Sequence, residues 1–555
     1  MIPRGSMLRA GLAGLILTIV VVPLALGSGA AEPSTNDNAK TLTISIPGPF
    51  NGCSFLDQGA TPSTDAVLDL VRPSAFLTNP GGDLTGAAGP IASAELTSLT
   101  PETVVYTIAP GRKWSNGVPF SGIDFVTWWQ RASSLASVQS DGYRAIKSIY
   151  VTNGGLTVTA VFDKPYAEWN LLFRDVEQPG AAAGCSISDL VHRPSLGPYV
   201  VQSATTSRIV LTMNKLWTSD ASRFGRIVLN DAGAFPKSSG ASFASYSLSV
   251  NRTQLDALGA HPTVLSRIGT SSGIEEMTFA PLRPMTRLVT IREALAWSLN
   301  RQTMIDQLWG AVTFSPLPAA SILFSQGQSA YPGASAGTPT NQTTTSTSSL
   351  PSSSPPGLAD CLSCAISAFA AAGYSRSSTH GLADGRGVRM SLRVVVGPSA
   401  ADQATAALVA KSWEAIGIAV HLVNAPSDAG AALAASRNED DVAIFTRPTL
   451  TTASYTARSW SGPAYFDAFN SGIRTPSFAA LYSTAVSNFN SAAANVTWLA
   501  LDQAIMKSYW VRPLFTPPSL VEWTNSLATV YPCLSVVGFL DQATGWTISP
   551  VSTGS

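Results

Sequence analysis

Apolar and polar residues alternate through 40–46 (KTLTISI), so Leu42, Ile44 and Ile46 share one face before Pro47-Gly48-Pro49 stops the run. The same period of two at 156–162 (LTVTAVF) and 208–213 (RIVLTM) predicts two further strands, and 166–173 is spaced as a short amphipathic helix. Beyond residue 280 the spacing lengthens. Residues 288–308 (LVTIREALAWSLNRQTMIDQL) hold apolar positions at helical intervals with a pause at Asn300-Arg301, which predicts one helix ending and another starting. An Ala-rich helix to Gly373-Tyr374, a strand at 390–396 (MSLRVVV), a helix at 401–416, and strands at 419–423 and 441–445 (DVAIF) follow. Strands and helices alternate here as in a parallel or mixed sheet. A helix at 497–509 leads to an extended C-terminal stretch.

One stretch is denser in aromatics. In 106–131 (YTIAPGRKWSNGVPFSGIDFVTWWQR), Tyr106 to Ile108 read as the end of a strand, and Ser115-Asn116-Gly117 as a turn. Ser121 or Asp124 then caps a helix that carries Phe125, Val126, Trp128 and Trp129 at helical spacing.

Composition narrows the class. A chain of 555 residues exceeds the roughly 250–300 that one core supports, so at least two lobes are expected. Hydrophobic residues are 45% and charged residues 12% of the chain, which predicts a surface of small and uncharged polar side chains. Lys plus Arg and Asp plus Glu number 34 each, so no basic field exists to gather nucleic acid. Residues 330–357 are nearly all Ser, Thr, Pro and Gly, and are expected to form a flexible surface loop.

At the amino end Arg4 and Arg9 precede an apolar run from Ala10 to Leu26 and the small residues Gly27 to Ala31. This order is that of a secretory signal peptide over 1–31, with an uncleaved membrane anchor as the alternative. No Cys directly follows the run to carry a lipid. Cys361 and Cys364 have the spacing of a redox or zinc knuckle, but no second pair or adjacent His supports a metal and no βαβ context with a strand before the motif supports a thioredoxin-like role, so a local structural disulfide, or two buried thiols, is the expectation. Pairing among Cys53, Cys185 and Cys533 stays open. Four His stand in no metal-like spacing, and no nucleophile elbow or phosphate loop occurs, so no enzyme, cofactor or metal is expected.

The aromatic stretch also carries a resemblance. Trp114, Ser115, Asn116, Gly117, Pro119 and Asp124 resemble the signature of the bacterial extracellular solute-binding proteins of the dipeptide and oligopeptide type (family 5), with Asn116 and Gly122 replacing the commoner Asp and Ala. SLGPYVVQS (195–203) with RIVLTMNKLW (208–217), IREALAWSLNRQTMI (291–305) and WEAIGIAVHL (413–422) resemble further segments of that family in the same order. The resemblance implies an α/β, two-lobe periplasmic-binding-protein-like fold of type II, with mixed sheets, an extra subdomain in the first lobe and an interlobe cleft. It assigns 41–280 and the returning 515–555 to the first lobe, and 281–514 to the second. In this frame Trp114 belongs to the core of the strand-turn-helix unit. The implied function is binding of a peptide or similar small solute and its delivery to an ABC permease, by a monomer outside the cytoplasm.

The chain departs from that family after DVAIF. Peptide-binding members carry an acidic residue there to meet the peptide ammonium, whereas residues 447–469 offer Arg447 and Arg458 and no acid before Asp467. The ligand then lacks an ammonium or bears an anionic group, or the fold serves as a non-transport cell-envelope regulator or scaffold, as in relatives of the LpqW type. For a cleft binder the candidate ligand contacts are Phe76, Tyr455, Trp460 and Tyr465 as aromatic walls, with Arg447 and Arg458 as anion partners.

Overall fold

The computed structural model describes residues 41–548 except 55, 57–60, 79–83, 87–88, 136–139, 181–185, 219–223, 232–241, 248, 259–262, 272, 311–315, 327–329, 333–359, 449–451, 462–470, 474 and 531–535. Segment 1–31, Cys185, Cys533, Tyr465 and nearly all of 330–357 thus lie outside the described residues. The fold is two-lobed and mixed α/β.

A seven-stranded sheet gathers Thr41–Ile46, Arg226–Asp231, Arg208–Met213, Tyr199–Ala204, Ser242–Ser247, Pro518–Thr524 and Val264–Thr270. Thr41–Ile46 pairs in parallel with Arg226–Asp231 and Ser242–Ser247, and its alternation buries Leu42, Ile44 and Ile46 completely. A separate four-stranded antiparallel sheet, built from Ile91–Leu99, Glu102–Ile108, Ile146–Thr152 and Thr157–Phe162, forms a subdomain inserted into this part of the chain.

A five-stranded sheet makes the other lobe, in the order Ala419–Asn424, Ser391–Val396, Val442–Pro448, Gly273–Phe279 and Val511–Phe515. Ser391–Val396 is parallel to both of its neighbours, and the helices Ala400–Ala415 and Asp428–Ser436 make the crossovers. One crossover goes to each side of Ser391–Val396, the arrangement that in open α/β sheets sets a crevice at the carboxyl ends of the strands. Among the described strands the chain passes between the large sheets twice, from Val264–Thr270 to Gly273–Phe279 and from Val511–Phe515 to Pro518–Thr524. Strand Gly273–Phe279, which precedes the expected boundary at 280/281, therefore lies in the second lobe's sheet.

Most expected elements form within a few residues, and Asn300 is indeed a break: its side chain accepts the N–H of Thr303 and starts the helix Arg301–Trp309. The helix expected at 166–173 is a correction. It is a single 3-10 turn, Trp169–Leu171, followed by Phe173 and Asp175 at φ 56° and 52°. Leu171 to Val176 are buried in irregular backbone, so their apolar spacing marks burial from several sides and not one helical face.

The aromatic stretch 106–131 packs as its residues dictate. Trp114 is fully buried, donates its indole N–H to Asp124 Oδ1 at 2.9 Å and meets Phe120 edge-on at 5.8 Å. Asp124 Oδ2 accepts the N–H of Ser121 at 2.8 Å and completes a capping box on the helix Gly122–Ser134. This unit is scaffold.

Candidate functional site

Strand Val442–Pro448 carries Phe445, Thr446 and Arg447 toward its carboxyl end, and the helix Ala453–Ser461, with Arg458 and Trp460, follows it in the chain. Arg447, Arg458 and Trp460 are at most 2% exposed. Arg447 grips Glu276 on the neighbouring strand through Nε to Oε2 at 3.0 Å and Nη2 to Oε1 at 2.7 Å. Its guanidinium also lies 5.5 Å from the ring of Phe445 and 5.8 Å from that of Trp460. The structure thus brings Arg447 and Trp460 together, and adds Glu276 as an internal counterion.

Arg458 reaches a distant part of the chain. Its Nε donates to Tyr482 Oη at 2.9 Å and its Nη2 to Tyr166 Oη at 2.8 Å, so one guanidinium ties the helices Ala453–Ser461 and Pro476–Val486 to the segment that follows the four-stranded sheet. Beside it the N–H of Ala167 donates to the carbonyl of Val486 at 2.8 Å. Burial pushes the Tyr482 hydroxyl up to about 12, keeping it protonated. Burial raises Glu168 and Asp141 as well, against the opposing charge of Arg458.

Phe76 starts the strand Phe76–Thr78, is half-buried, and meets Trp169 edge-on at 5.7 Å. It packs against the same apolar cluster that holds Trp460, Tyr166, Tyr482 and Trp498. Tyr455 lies on the helix Ala453–Ser461, but its side chain, like the whole of Tyr465, is outside the described residues. Tyr166, Trp169, Glu276 and Tyr482 escaped the reading of the sequence. A signal existed for Glu276 alone, since adjacent Glu275-Glu276 inside the otherwise apolar GIEEMTF has no place in a buried strand without partners.

Glu275 faces the opposite side of its strand and belongs to a second group. Thr446 Oγ1 lies 2.8 Å from Glu275 Oε2 and 2.9 Å from Asp402 Oδ1. Burial first, and the charge of Asp402 second, push Glu275 well above the usual carboxylate range and Asp428 up to about 8. At about 8, Asp428 holds its proton at neutral pH, which lets carboxyls share a buried site. Among the described residues no group of three or more His, Cys, Asp or Glu has the form of a metal site.

A network on the first lobe is cationic. Glu177 Oε2 accepts from Arg131 Nη1 at 2.6 Å and from Arg193, while Arg72, also buried, donates through Nη1 to the carbonyl of Pro194 at 2.6 Å. Arg72, Arg131 and Arg193 together hold Glu177 below the usual range against the opposing effect of its burial.

Residues 91–475 match the family model of the bacterial extracellular solute-binding proteins, family 5. The chain belongs to that family. Family 5 proteins are solute-binding proteins that work outside the cytoplasm and are not enzymes. Over 230 residues the chain is 29% identical to the oligopeptide-binding protein OppA of Mycobacterium tuberculosis, a match spanning 37% of this chain and 38% of OppA. Over 123 residues it is 32% identical to the probable monoacyl phosphatidylinositol tetramannoside-binding protein LpqW of the same organism, covering 21% of this chain and 19% of LpqW. The solved periplasmic EDTA-binding protein EppA superposes with a TM-score of 0.78 at 17% identity, over 93% of this chain and 97% of its own. The proteins this chain resembles are named for a peptide, a glycolipid and a chelator, so the resemblance does not fix the ligand. Among the described residues no helix is long and apolar enough to cross a membrane.

Proposed function

We propose that this protein is the extracytoplasmic receptor of an ABC importer, a monomer that captures a peptide or similar small solute between its lobes and presents it to a membrane permease. The reading rests on the contact of Arg458 with Tyr166, taken together with the two chain connections between the large sheets, which are able to act as a hinge. Phe76, Tyr455, Trp460 and Tyr465 supply aromatic wall, and Arg447 and Arg458 the charge for a carboxylate or phosphate on the solute. A signal peptide over 1–31, or its retention as an anchor, brings the chain to the envelope.

Calorimetric titration with a mixed peptide library, on wild type and on the Trp460→Ala/Arg447→Ala variant, tests the reading. Heat in wild type that disappears in the variant is the expected result. Binding unchanged in the variant removes these residues from the site.

A second reading has one observation in its favour. Arg447 already has a bidentate carboxylate partner in Glu276, so the buried cation makes no demand for a ligand anion. That suits a cell-envelope regulator or scaffold on the same fold, and the absence of any peptide heat in wild type would favour it.

A further inference from the structure

Cys361 and Cys364 are bonded to each other across two intervening residues. They stand at the amino end of the helix Leu362–Ala371, where Cys361 is the cap and its sulfur accepts the N–H of Cys364 at 3.2 Å. Neither Cys is buried. Leu362 and Ile366, one helical turn apart, are 51% and 56% exposed, so an apolar strip borders an accessible disulfide.

The chain holds its path here by other means. The N–H of Cys361 donates to the carbonyl of Trp297 at 2.9 Å, and the Asp360 carboxylate binds Arg301 Nε at 3.1 Å and also Arg512. Closing so short a loop removes little chain entropy, so the bond adds little that these contacts lack. Cys53 makes the contrast: it is disulfide-bonded and fully buried.

We propose that Cys361–Cys364 is an exchange-active disulfide that takes a dithiol as its reaction partner. A thiolate of the dithiol attacks Cys364 Sγ, forming a mixed disulfide and breaking the Cys361–Cys364 bond. The electron pair leaves on Cys361, whose thiolate is stabilised by the N–H of Cys364 and by the helix amino end. The dithiol's second thiolate then attacks its own sulfur in the mixed disulfide and releases Cys364 as thiolate. In sum the protein disulfide takes up two electrons and, at neutral pH, protons to match its thiols, while the partner becomes a disulfide. The spacing alone reads as a staple; the place of the pair on a helix end, beside exposed Leu362 and Ile366, assigns it chemistry.

The test exposes oxidised full-length protein to dithiothreitol or to a reduced thioredoxin, quenches with iodoacetamide and maps alkylation by peptide mass. Cys361 and Cys364 are expected to be alkylated on the order of a hundredfold faster than Cys53, since access and thiolate stability set exchange rates. A pair that stays oxidised until Cys53 also opens would overturn the proposal. In Cys364→Ser, the alkylation of Cys361 should reach half its maximal rate below the ordinary thiol value of ~8.5, and a midpoint at or above that value contradicts the leaving-group assignment. Leu362→Ser/Ile366→Ser should slow thioredoxin several-fold and leave dithiothreitol unchanged. Equal slowing, or none, overturns the docking of a protein dithiol on this strip.

Discussion

Arg447 and Glu276 form a two-point ion pair between neighbouring strands, with side-chain exposures of 2% and 0%. Two charges taken this far from water are tolerable only together. Glu276→Ala should therefore destabilise the fold by about 3–5 kcal/mol, because it leaves the guanidinium uncompensated, whereas Glu276→Leu with Arg447→Leu should cost far less. Urea titration of the single and double variants checks this. Equal losses in both would show that the pair is not coupled.

Stability should fall as pH rises from about 4 to about 8. Asp428 is raised to about 8, Glu102 and Asp502 to about 7, and Glu275 higher than usual, chiefly by burial. Their unfolded counterparts titrate near ~4, so across this window the folded chain binds more protons, and the slope of stability against pH is negative at up to about 1.4 kcal/mol per unit for each group. The contribution is complete below the unfolded value and is lost on passing the folded one. Urea midpoints at pH 5 and pH 8 measure it, and Asp428→Asn should flatten the upper half of the profile. A midpoint that rises toward pH 8 contradicts the assignment.

Arg458 is expected to hold the lobes in register. Tyr166→Phe removes one hydrogen bond to it, worth about 1 kcal/mol, and Arg458→Met removes both. The amide of Ala167, bonded to Val486, should then exchange with deuterium several-fold faster in Tyr166→Phe and faster still in Arg458→Met. Unchanged exchange at that amide in both variants would mean that Arg458 does not brace the interface.

Trp114 and Asp124 should matter for folding and not for solute. Asp124→Ala strands the buried indole N–H and removes the helix cap, a loss of about 2–3 kcal/mol, while the heat of any bound solute stays as in wild type. A change in solute affinity without loss of stability would reverse this reading.

How much of this was legible in the sequence follows from the range of each interaction. Strand Arg208–Met213 coincides with its alternation, and the helix expected at 401–416 forms at Ala400–Ala415, because period and capping by Ser399 are local properties. The helix expected at 166–173 failed because the apolar residues from Leu171 onward are buried in irregular backbone, and apolar content there carries no helical face. Arg447 and Trp460 were picked out by type and position, and they stand 5.8 Å apart. Glu276 and Tyr166 were not, since the partners Glu276–Arg447 and Tyr166–Arg458 are 171 and 292 residues apart and no local pattern encodes them.

The claim that solute is trapped between hinged lobes is tested most directly by the distance between the lobes themselves. Spin labels at Val151→Cys in the subdomain and Val496→Cys in the second lobe, both exposed at 39% and 68%, report it by pulsed electron resonance. Addition of a mixed peptide library should narrow the distance distribution toward its short end, and Trp460→Ala/Arg447→Ala should abolish that response. A distribution that stays unmoved while calorimetry registers bound peptide would contradict capture between the lobes.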